Sequence, residues 1–328
     1  VAPFDAEELA QFLAANSGVL PVMQYSTGNL LSQAKWIPGT DYLILVFNDN
    51  LHDQPRVPAV LRIISLRSGE VVFSLNLETD YPKYAIEVRG NLLYIGDGHR
   101  LGIYDMDSFS LVHTFIYDSS IVSLHFVEGT LEAYAVQSQV INLIEVEHFT
   151  TTEKHREPGD AYVQFFHPET QLALLSSYHS GYQFTSLFPY SLATRSILEQ
   201  QIVGDSYDSG YIGYIKPLDL LGFNYLYTCD SPKQIFLYNP STYELVSRAN
   251  MPVKFTSFLC LSGTNYLIAE KSDALVDVTD WSVHTTLSEV EDPSNPGINV
   301  SFTSYDWNET LRCIVSGSPS GLVRFSVI

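Results

Sequence analysis

Short β-rich runs separated by turn-forming residues recur in groups of four along almost the whole chain. The first group covers residues 33–38, 42–48, 60–66 and 71–77, and the same order continues to the C-terminus. Seven such groups fit into residues 19–328, which gives a period of about 44 residues. Four strands at that period predict one small antiparallel sheet per repeat.

The seventh group contains only three runs, over residues 298–306, 312–316 and 322–327. A run over residues 19–25 belongs to no other group. If this run supplies the missing strand, the sheets close into a ring, which protects edges that would otherwise pair with other chains. The sequence therefore predicts an all-β fold, a seven-bladed β-propeller closed by an N-terminal strand.

One short α-helix is predicted ahead of the first sheet. Asp5 is a typical N-cap residue, and Glu8 three positions later completes a capping box. The apolar side chains that share one face at helical spacing are Leu9, Phe12 and Leu13. We expect an N-terminal helical arm over residues 1–18 and the propeller over residues 19–328.

Two segments carry a family resemblance. The seventh repeat contains Ser316-Gly-Ser-Pro-Ser-Gly-Leu-Val-Arg324, and the fourth contains Phe166-His-Pro-Glu-Thr-Gln-Leu-Ala-Leu-Leu-Ser176. Both are similar to segments of WD-repeat propellers, and Tyr104-Asp105 stands where that family has Trp-Asp. The resemblance implies a WD-repeat-like scaffold that binds other proteins.

The chain departs from that family and shows no catalytic signature. The Gly-His dipeptide that precedes each first strand is absent, so the family's His–Ser/Thr–Asp–Trp network is not expected. No G-x-S-x-G, H-E-x-x-H, P-loop or G-x-G-x-x-G motif occurs, and the nine His are scattered. We expect no enzyme activity, no cofactor and no metal site.

The charge balance excludes several classes of partner. The chain has 17 Lys and Arg against 37 Asp and Glu, a net charge of −20. Phosphate backbones and anionic membranes attract clustered basic residues, so direct nucleic-acid or membrane-surface binding is not expected. No apolar run reaches the roughly 18 residues of a membrane-spanning helix, and the acidic N-terminus lacks the basic region of a signal peptide.

The cysteines indicate the compartment. Cys229, Cys260 and Cys313 lie far apart in apolar runs, as buried free thiols do, and form no CxxC pair. A chain of this length without a disulfide framework fits a reducing compartment. We expect a cytoplasmic or nuclear protein.

The predicted loops of one rim collect acidic residues. In a WD-like blade, the connections from strand four to the next strand one and from strand two to strand three meet on one side. Here they hold fifteen acidic side chains against six Lys and Arg, with aromatic residues among them. Tyrosine offers large contact area and a polar tip, as binding surfaces require. The candidate partner-binding residues are Asp80, Tyr81, Tyr178, His179, Asp205, Tyr207, Asp208, Tyr211, Glu289, Glu291 and Asp292.

Three functional hypotheses follow. The first is a non-catalytic protein–protein interaction scaffold, one subunit of a larger hetero-complex, whose acidic rim binds basic protein segments. The second is a propeller hydrolase of lactonase type, with a divalent cation held by oxygen ligands in the central channel. The third is a secreted glycoprotein carrying sugars at Asn299 or Asn308, which the odd cysteine count disfavours.

Overall fold

The structure, a computed structural model, describes residues 4–26, 28–48, 58–78, 85–127, 129–130, 132–137, 139–156, 161–168, 171–178, 185–197, 212–218, 223–228, 234–238, 245–253, 255, 258–270, 272–293 and 295–328. These residues form one α-helix, a short 3-10 helix and 28 strands. The strands make seven four-stranded sheets in which every pairing is antiparallel. The part of the chain that the structure describes is therefore all-β with one α-helix, as the sequence predicts.

The first elements in chain order are α1 (Ala6–Asn16), β1 (Val19–Pro21) and the 3-10 helix (Met23–Tyr25). The next sheet contains β2 (Leu30–Trp36), β3 (Tyr42–Asn48), β4 (Val60–Ser65) and β5 (Val71–Asn76). It is followed by a sheet of β6 (Ala85–Arg89), β7 (Leu92–Asp97), β8 (Arg100–Asp105) and β9 (Leu111–Ile116). A third sheet contains β10 (Ile121–Phe126), β11 (Glu132–Gln137), β12 (Val140–Glu145) and β13 (Thr150–Arg156).

The second half of the chain repeats this order. The fourth sheet contains β14 (Ala161–His167), β15 (Leu172–Tyr178), β16 (Thr185–Ser191) and β17 (Ser196–Ile197). The fifth contains β18 (Ile212–Leu218), β19 (Phe223–Thr228), β20 (Gln234–Tyr238) and β21 (Leu245–Asn250). The sixth contains β22 (Phe258–Cys260), β23 (Tyr266–Ala269), β24 (Ala274–Asp277) and β25 (Ser282–Thr286). The seventh contains β26 (Ser304–Asn308), β27 (Cys313–Gly317), β28 (Leu322–Val327) and β1.

The chain divides into two compact units. The first unit comprises Val1–Lys83 with Pro252–Ile328, and the second comprises Tyr84–Met251. The first unit therefore holds α1 and the first, sixth and seventh sheets, and the second unit holds the other four.

The run near the N-terminus completes the last sheet, as predicted. In β1, Val19 lies opposite Arg324 and Pro21 lies opposite Leu322 in antiparallel register. The strand is shorter than the predicted run, because Pro21 has no N–H to donate to a ladder and the chain then turns into the 3-10 helix. The predicted run over residues 194–203 is a strand at Ser196–Ile197, and residues 198–203 lie outside the described residues.

Burial falls from the middle strands of a sheet to its last strand. All of β27 and all but the first residue of β3 are buried, whereas β25 is exposed throughout and β13 buries only His155. A strand buried at consecutive positions is covered on both faces, since successive side chains point to opposite sides. The core of each of these sheets therefore lies around its middle strands.

An irregularity recurs at one place in the repeat. The register shifts between the third and fourth strands in the first, second, third, fifth and sixth sheets. Such a bulge bends the strand and increases its twist. The repeat is thus preserved in a structural detail as well as in strand order.

The helix α1 is capped as predicted. The Asp5 carboxylate accepts hydrogen bonds from the backbone N–H of Glu7 and Glu8, and the Glu8 carboxylate accepts one from the N–H of Asp5. Ser17 closes the other end in a left-handed conformation, its N–H bonded to the carbonyl of Leu13.

The apolar face of α1 packs on the first unit. Leu9 is 2% exposed, and Phe12 meets Phe325 edge to face with ring centroids 5.2 Å apart. Phe4 lies 5.9 Å from Trp36 by ring centroids. Burial of side chains of this size contributes roughly 1.5–3 kcal/mol each, so the helix is a docked part of this unit.

A charged contact fixes the same helix. The Arg67 guanidinium donates to both Glu8 carboxylate oxygens at 2.8 Å, and it also pairs with the buried Asp41 at 3.2 Å. It lies 5.4 Å from the Phe4 ring centroid. Arg67 therefore joins α1 to the turn between β4 and β5, because its fork matches the paired oxygens of a carboxylate.

The sequence predicts that the cysteines are buried free thiols. Cys313 is buried and burial raises the pKa of its thiol to about 12, while Cys260 is half-buried and Cys229 lies outside the described residues.

Over the part of the chain that the structure describes, no helix has the length and apolarity needed to cross a membrane.

Candidate functional site

Three of the eleven predicted binding residues fall on one described loop. Glu289, Glu291 and Asp292 lie between β25 and β26, in the segment Ser288–Val300, which we call the acidic loop. The predicted residues that lie outside the described ones are Asp80, Tyr81, His179, Asp205, Tyr207, Asp208 and Tyr211. Tyr178 is the last residue of β15, and its side chain is outside the description.

The acidic loop is a hydrogen-bonded hairpin. The N–H of Val300 donates to the carbonyl of Val290 at 2.8 Å, and the N–H of Asp292 donates to the carbonyl of Ile298 at 2.8 Å. Gly297 occupies the tip with φ of 86°, a conformation that glycine adopts without a steric cost. The loop therefore holds its acidic residues on a defined backbone.

Each acidic side chain accepts a hydrogen bond within the loop. Glu289 accepts from the Asn299 side-chain amide at 2.6 Å, and Glu291 accepts from the backbone N–H of Gly297. Asp292 accepts from the Asn295 side-chain amide at 3.3 Å. The donors to Glu289 and Glu291 are neutral amides, so these bonds orient the two carboxylates without cancelling their charge.

The loop combines negative charge with an exposed apolar side chain. It contains no Lys, Arg or His. Glu289 and Glu291 are exposed, Asp292 is half-buried, and Ile298 is 59% exposed. Such a surface suits a partner that offers both positive charge and an apolar contact.

A buried arginine supports the base of the loop. Arg324 of β28 is 2% exposed, and its guanidinium donates to the carbonyl of Ser288 at 2.9 Å. It also donates to an Asp273 oxygen at 2.7 Å and lies 4.0 Å from the ring centroid of Phe302. Arg324 thus contacts the first residue of the loop and Phe302, which lies two residues beyond its end.

Tyr305 completes this support. Its hydroxyl donates to the same Asp273 oxygen at 2.6 Å. Burial, followed in importance by the hydrogen bond to Asp273, raises the pKa of Tyr305 far above its ordinary value of 10.0, so the phenol stays a neutral donor. The backbone carbonyl of Asp273 accepts from the N–H of Leu287 at 2.8 Å, immediately before the acidic loop. The sixth and seventh sheets are therefore linked beneath the loop.

Asp273 is one of the fifteen acidic residues assigned to the predicted rim, and its carboxylate is engaged by Arg324 and Tyr305. The sequence places it among the acidic residues of the strand-two to strand-three loops, whereas the structure pairs it with Arg324. The signal that sequence reasoning missed is Arg324 itself. A charged residue inside the apolar strand Leu322–Val327 needs a buried partner of opposite charge.

A cleft of about 530 Å³ opens beside the first residues of the acidic loop. It runs between β25 and the pair β1 and β28, and Glu289 lies on its wall. Its lining residues are Ser17, Gly18, Val19, Thr285, Thr286, Leu287, Ser288, Glu289, Val290, Arg324, Phe325, Ser326, Val327 and Ile328. The acidic loop thus borders a concave surface.

Within the described ranges, no three His, Cys, Asp or Glu side chains come together in a group that could hold a metal ion. A comparison with models of protein families gave no match. A comparison with curated proteins also gave no match.

Proposed function

We propose that the chain is a non-catalytic protein–protein interaction scaffold and that the acidic loop binds a basic segment of a partner protein. The observation that carries this proposal is the geometry of the loop. Its carboxylates are oriented by neutral donors, its tip exposes Ile298, and its base is anchored on buried Arg324. A preorganised surface loses less conformational entropy on binding than a mobile loop would.

We also propose that the seven sheets are the blades of a WD-repeat-like propeller. The consecutive four-stranded sheets support this architecture, as do the buried middle strands, the recurrent bulge before the fourth strand and the pairing of β1 with β28. In a propeller, blades cover one another's faces and the strand from the other terminus closes the ring. The scaffold role then follows from the many loops that such a fold presents.

The partner chemistry follows from the charge and the apolar tip of the acidic loop. Lysine or arginine side chains would pair with Glu289 and Glu291, and a neighbouring apolar side chain would cover Ile298. Because these carboxylates lie at the surface, part of the attraction is screened by salt. We expect binding to weaken as ionic strength rises.

The test uses an array of nine-residue peptides rich in lysine, arginine and leucine, beside an identical array with glutamate in place of the basic residues. The best peptide is then titrated by fluorescence anisotropy. The triple variant Glu289→Gln, Glu291→Gln, Asp292→Asn should bind at least about tenfold more weakly, a loss of roughly 1.4 kcal/mol.

The matched control removes the same charge elsewhere. Glu132→Gln, Glu145→Gln and Glu147→Gln neutralise three exposed acids of the second unit, and this variant should bind within about twofold of the unmodified chain, a difference of roughly 0.4 kcal/mol. Equal binding to the acidic array, or equal losses in the two triple variants, would contradict the proposal.

The hydrolase hypothesis makes a different prediction. A lactonase-type site requires a cation held by several oxygen ligands, so the purified protein would contain stoichiometric Ca²⁺ or Mg²⁺ after extensive buffer exchange. Elemental analysis distinguishes this outcome from that of a scaffold without a resident metal.

A further inference from the structure

A second cleft, of about 510 Å³, lies in the second unit and has the opposite electrostatic character. It is formed by the end of β13 in the third sheet and by the β16–β17 region of the fourth sheet. Its lining residues are Glu153, Lys154, His155, Arg156, Tyr190, Arg195, Ser196 and Ile197. It shares no residue with the acidic loop.

The cleft runs along the edge of a strand. Four consecutive residues of β13, from Glu153 to Arg156, line it. The register shift against β12 leaves Lys154 as an extra residue between Glu153 and His155. Residues on both sides of this bulge line the cleft, so the cleft follows this part of the strand. β13 is the last strand of its sheet and pairs with β12 on its other side. Among the described strands, none pairs with this edge.

An edge strand of this kind has main-chain groups available for a further strand. Its outward N–H and C=O groups can pair with an extended segment of another chain. Within the described residues, the facing strand β17 spans Ser196–Ile197, and it is also the last strand of its sheet. The cleft is therefore suited to an extended peptide between the two sheet edges.

The side chains around the cleft are predominantly basic. Lys154, Arg156 and Arg195 line it against a single acid, Glu153. Arg156 is engaged by Glu153 at 2.6 Å and by Asp118 at 3.2 Å. Within the described residues, Lys154 and Arg195 form no ion pair. In a chain of net charge −20, two available cations beside an open strand edge indicate an acidic occupant.

Aromatic and apolar groups provide the rest of the surface. His155 is 8% exposed, and its ring lies 4.2 Å from that of Tyr190 by centroids. Ile197, by contrast, is 53% exposed at the rim. The packed rings of His155 and Tyr190 and the exposed Ile197 therefore offer a bound segment apolar contact, in addition to the charges of the cleft.

We propose that this cleft binds an acidic, extended segment of a partner protein, which adds a strand to the free edge of β13. Main-chain hydrogen bonds to the strand provide affinity, and Lys154 and Arg195 select acidic side chains. The chain then carries two interaction surfaces of opposite sign, one on each unit. This site does not depend on the acidic loop, and variants of the loop leave it intact.

The probe is a fluorescein-labelled peptide of four alternating glutamate–valine pairs, titrated into the full chain by fluorescence anisotropy. The comparison peptides are the lysine–valine analogue and a glutamate–valine analogue with alternate backbone amides N-methylated. We expect the glutamate–valine peptide to bind and both analogues to bind at least tenfold more weakly. The N-methylated analogue isolates main-chain pairing, because its charge is unchanged.

Two variants test the assigned side chains. Lys154→Glu with Arg195→Glu should weaken binding at least tenfold, and the milder Lys154→Gln with Arg195→Gln should weaken it in the same direction while the thermal unfolding midpoint is retained. The control Arg89→Glu with Arg312→Glu reverses two exposed cations outside the cleft and should leave binding unchanged.

Several results would overturn the proposal. Equal binding of the lysine–valine peptide would remove the charge selection, and equal binding of the N-methylated peptide would remove strand addition. Binding unaffected by both Lys154 and Arg195 variants would place the peptide elsewhere. Self-association that the same reversals abolish would identify the occupant as a second copy of this chain and not a partner.

Discussion

Replacing Arg324 by methionine tests how much the ion pair between buried Arg324 and half-buried Asp273 contributes to the stability of the first unit. The substitution removes the hydrogen bonds of the guanidinium to Asp273 at 2.7 Å, to Ser288 at 2.9 Å and to Ser316 at 3.2 Å. It also removes the contact of the guanidinium with the Phe302 ring. Methionine fills similar volume, so the main cost is the Asp273 carboxylate left without its cation. Breaking one side of a fully buried pair typically costs about 3–5 kcal/mol. Because the Asp273 side chain is 23% exposed and keeps its hydrogen bond from Tyr305, we expect a cost of about 2–3 kcal/mol.

The assay is urea unfolding followed by tryptophan fluorescence. The three tryptophans, Trp36, Trp281 and Trp307, all belong to the first unit, so the signal reports on the unit that contains Arg324. A loss of about 2–3 kcal/mol corresponds to a midpoint shift of about 1 M urea. Arg324→Lys should recover part of the loss, since it keeps the charge but not the planar fork.

The matched control is Arg312→Met, which removes an exposed arginine from the same sheet region and should cost less than about 0.5 kcal/mol. Our reasoning is refuted if Arg324→Met costs less than about 1 kcal/mol. It is also refuted if Arg324→Lys is as damaging as Arg324→Met, because the charge would then contribute nothing.

Two further predictions concern α1 and the contact between Gly321 and the 3-10 helix. The hydrogen bond from Arg67 lowers the pKa of Glu8 below its ordinary value of 4.5. The stabilisation of docked α1 by the Glu8–Arg67 contact is therefore complete above pH 4.5. It is lost as the pH falls through the lower pKa that Glu8 has in the folded chain. Hydrogen exchange of α1 should accelerate over that range, and Glu8→Gln should abolish the step. Gly321→Ala should destabilise more than Gly39→Ala, because both have positive φ but only Gly321 would place its Cβ against Met23. Equal urea unfolding midpoints of Gly321→Ala and Gly39→Ala would contradict this steric argument.

Much of the fold could be predicted because its signals are local. The capping box of Asp5 and Glu8 spans one helical turn, and turn residues separate each apolar run from the next. Even the pairing of β1 with β28 followed from counting, since the last repeat lacked one strand and one run had no repeat. The candidate site was predicted only in part, through Glu289, Glu291 and Asp292 on the acidic loop.

The sequence by itself determined the strand sets, the helix and the excess of acid, because each depends on neighbours along the chain or on composition alone. Only the tertiary structure decided which charges are used internally. Asp273 of the sixth sheet pairs with Arg324 of the seventh, and Glu8 of the docked helix pairs with Arg67 of the first sheet's turn between β4 and β5. Likewise, Lys154 and Arg195 come to one cleft through the packing of two sheets. Coulomb attraction depends on distance in space and on burial, and neither can be obtained from separation along the chain.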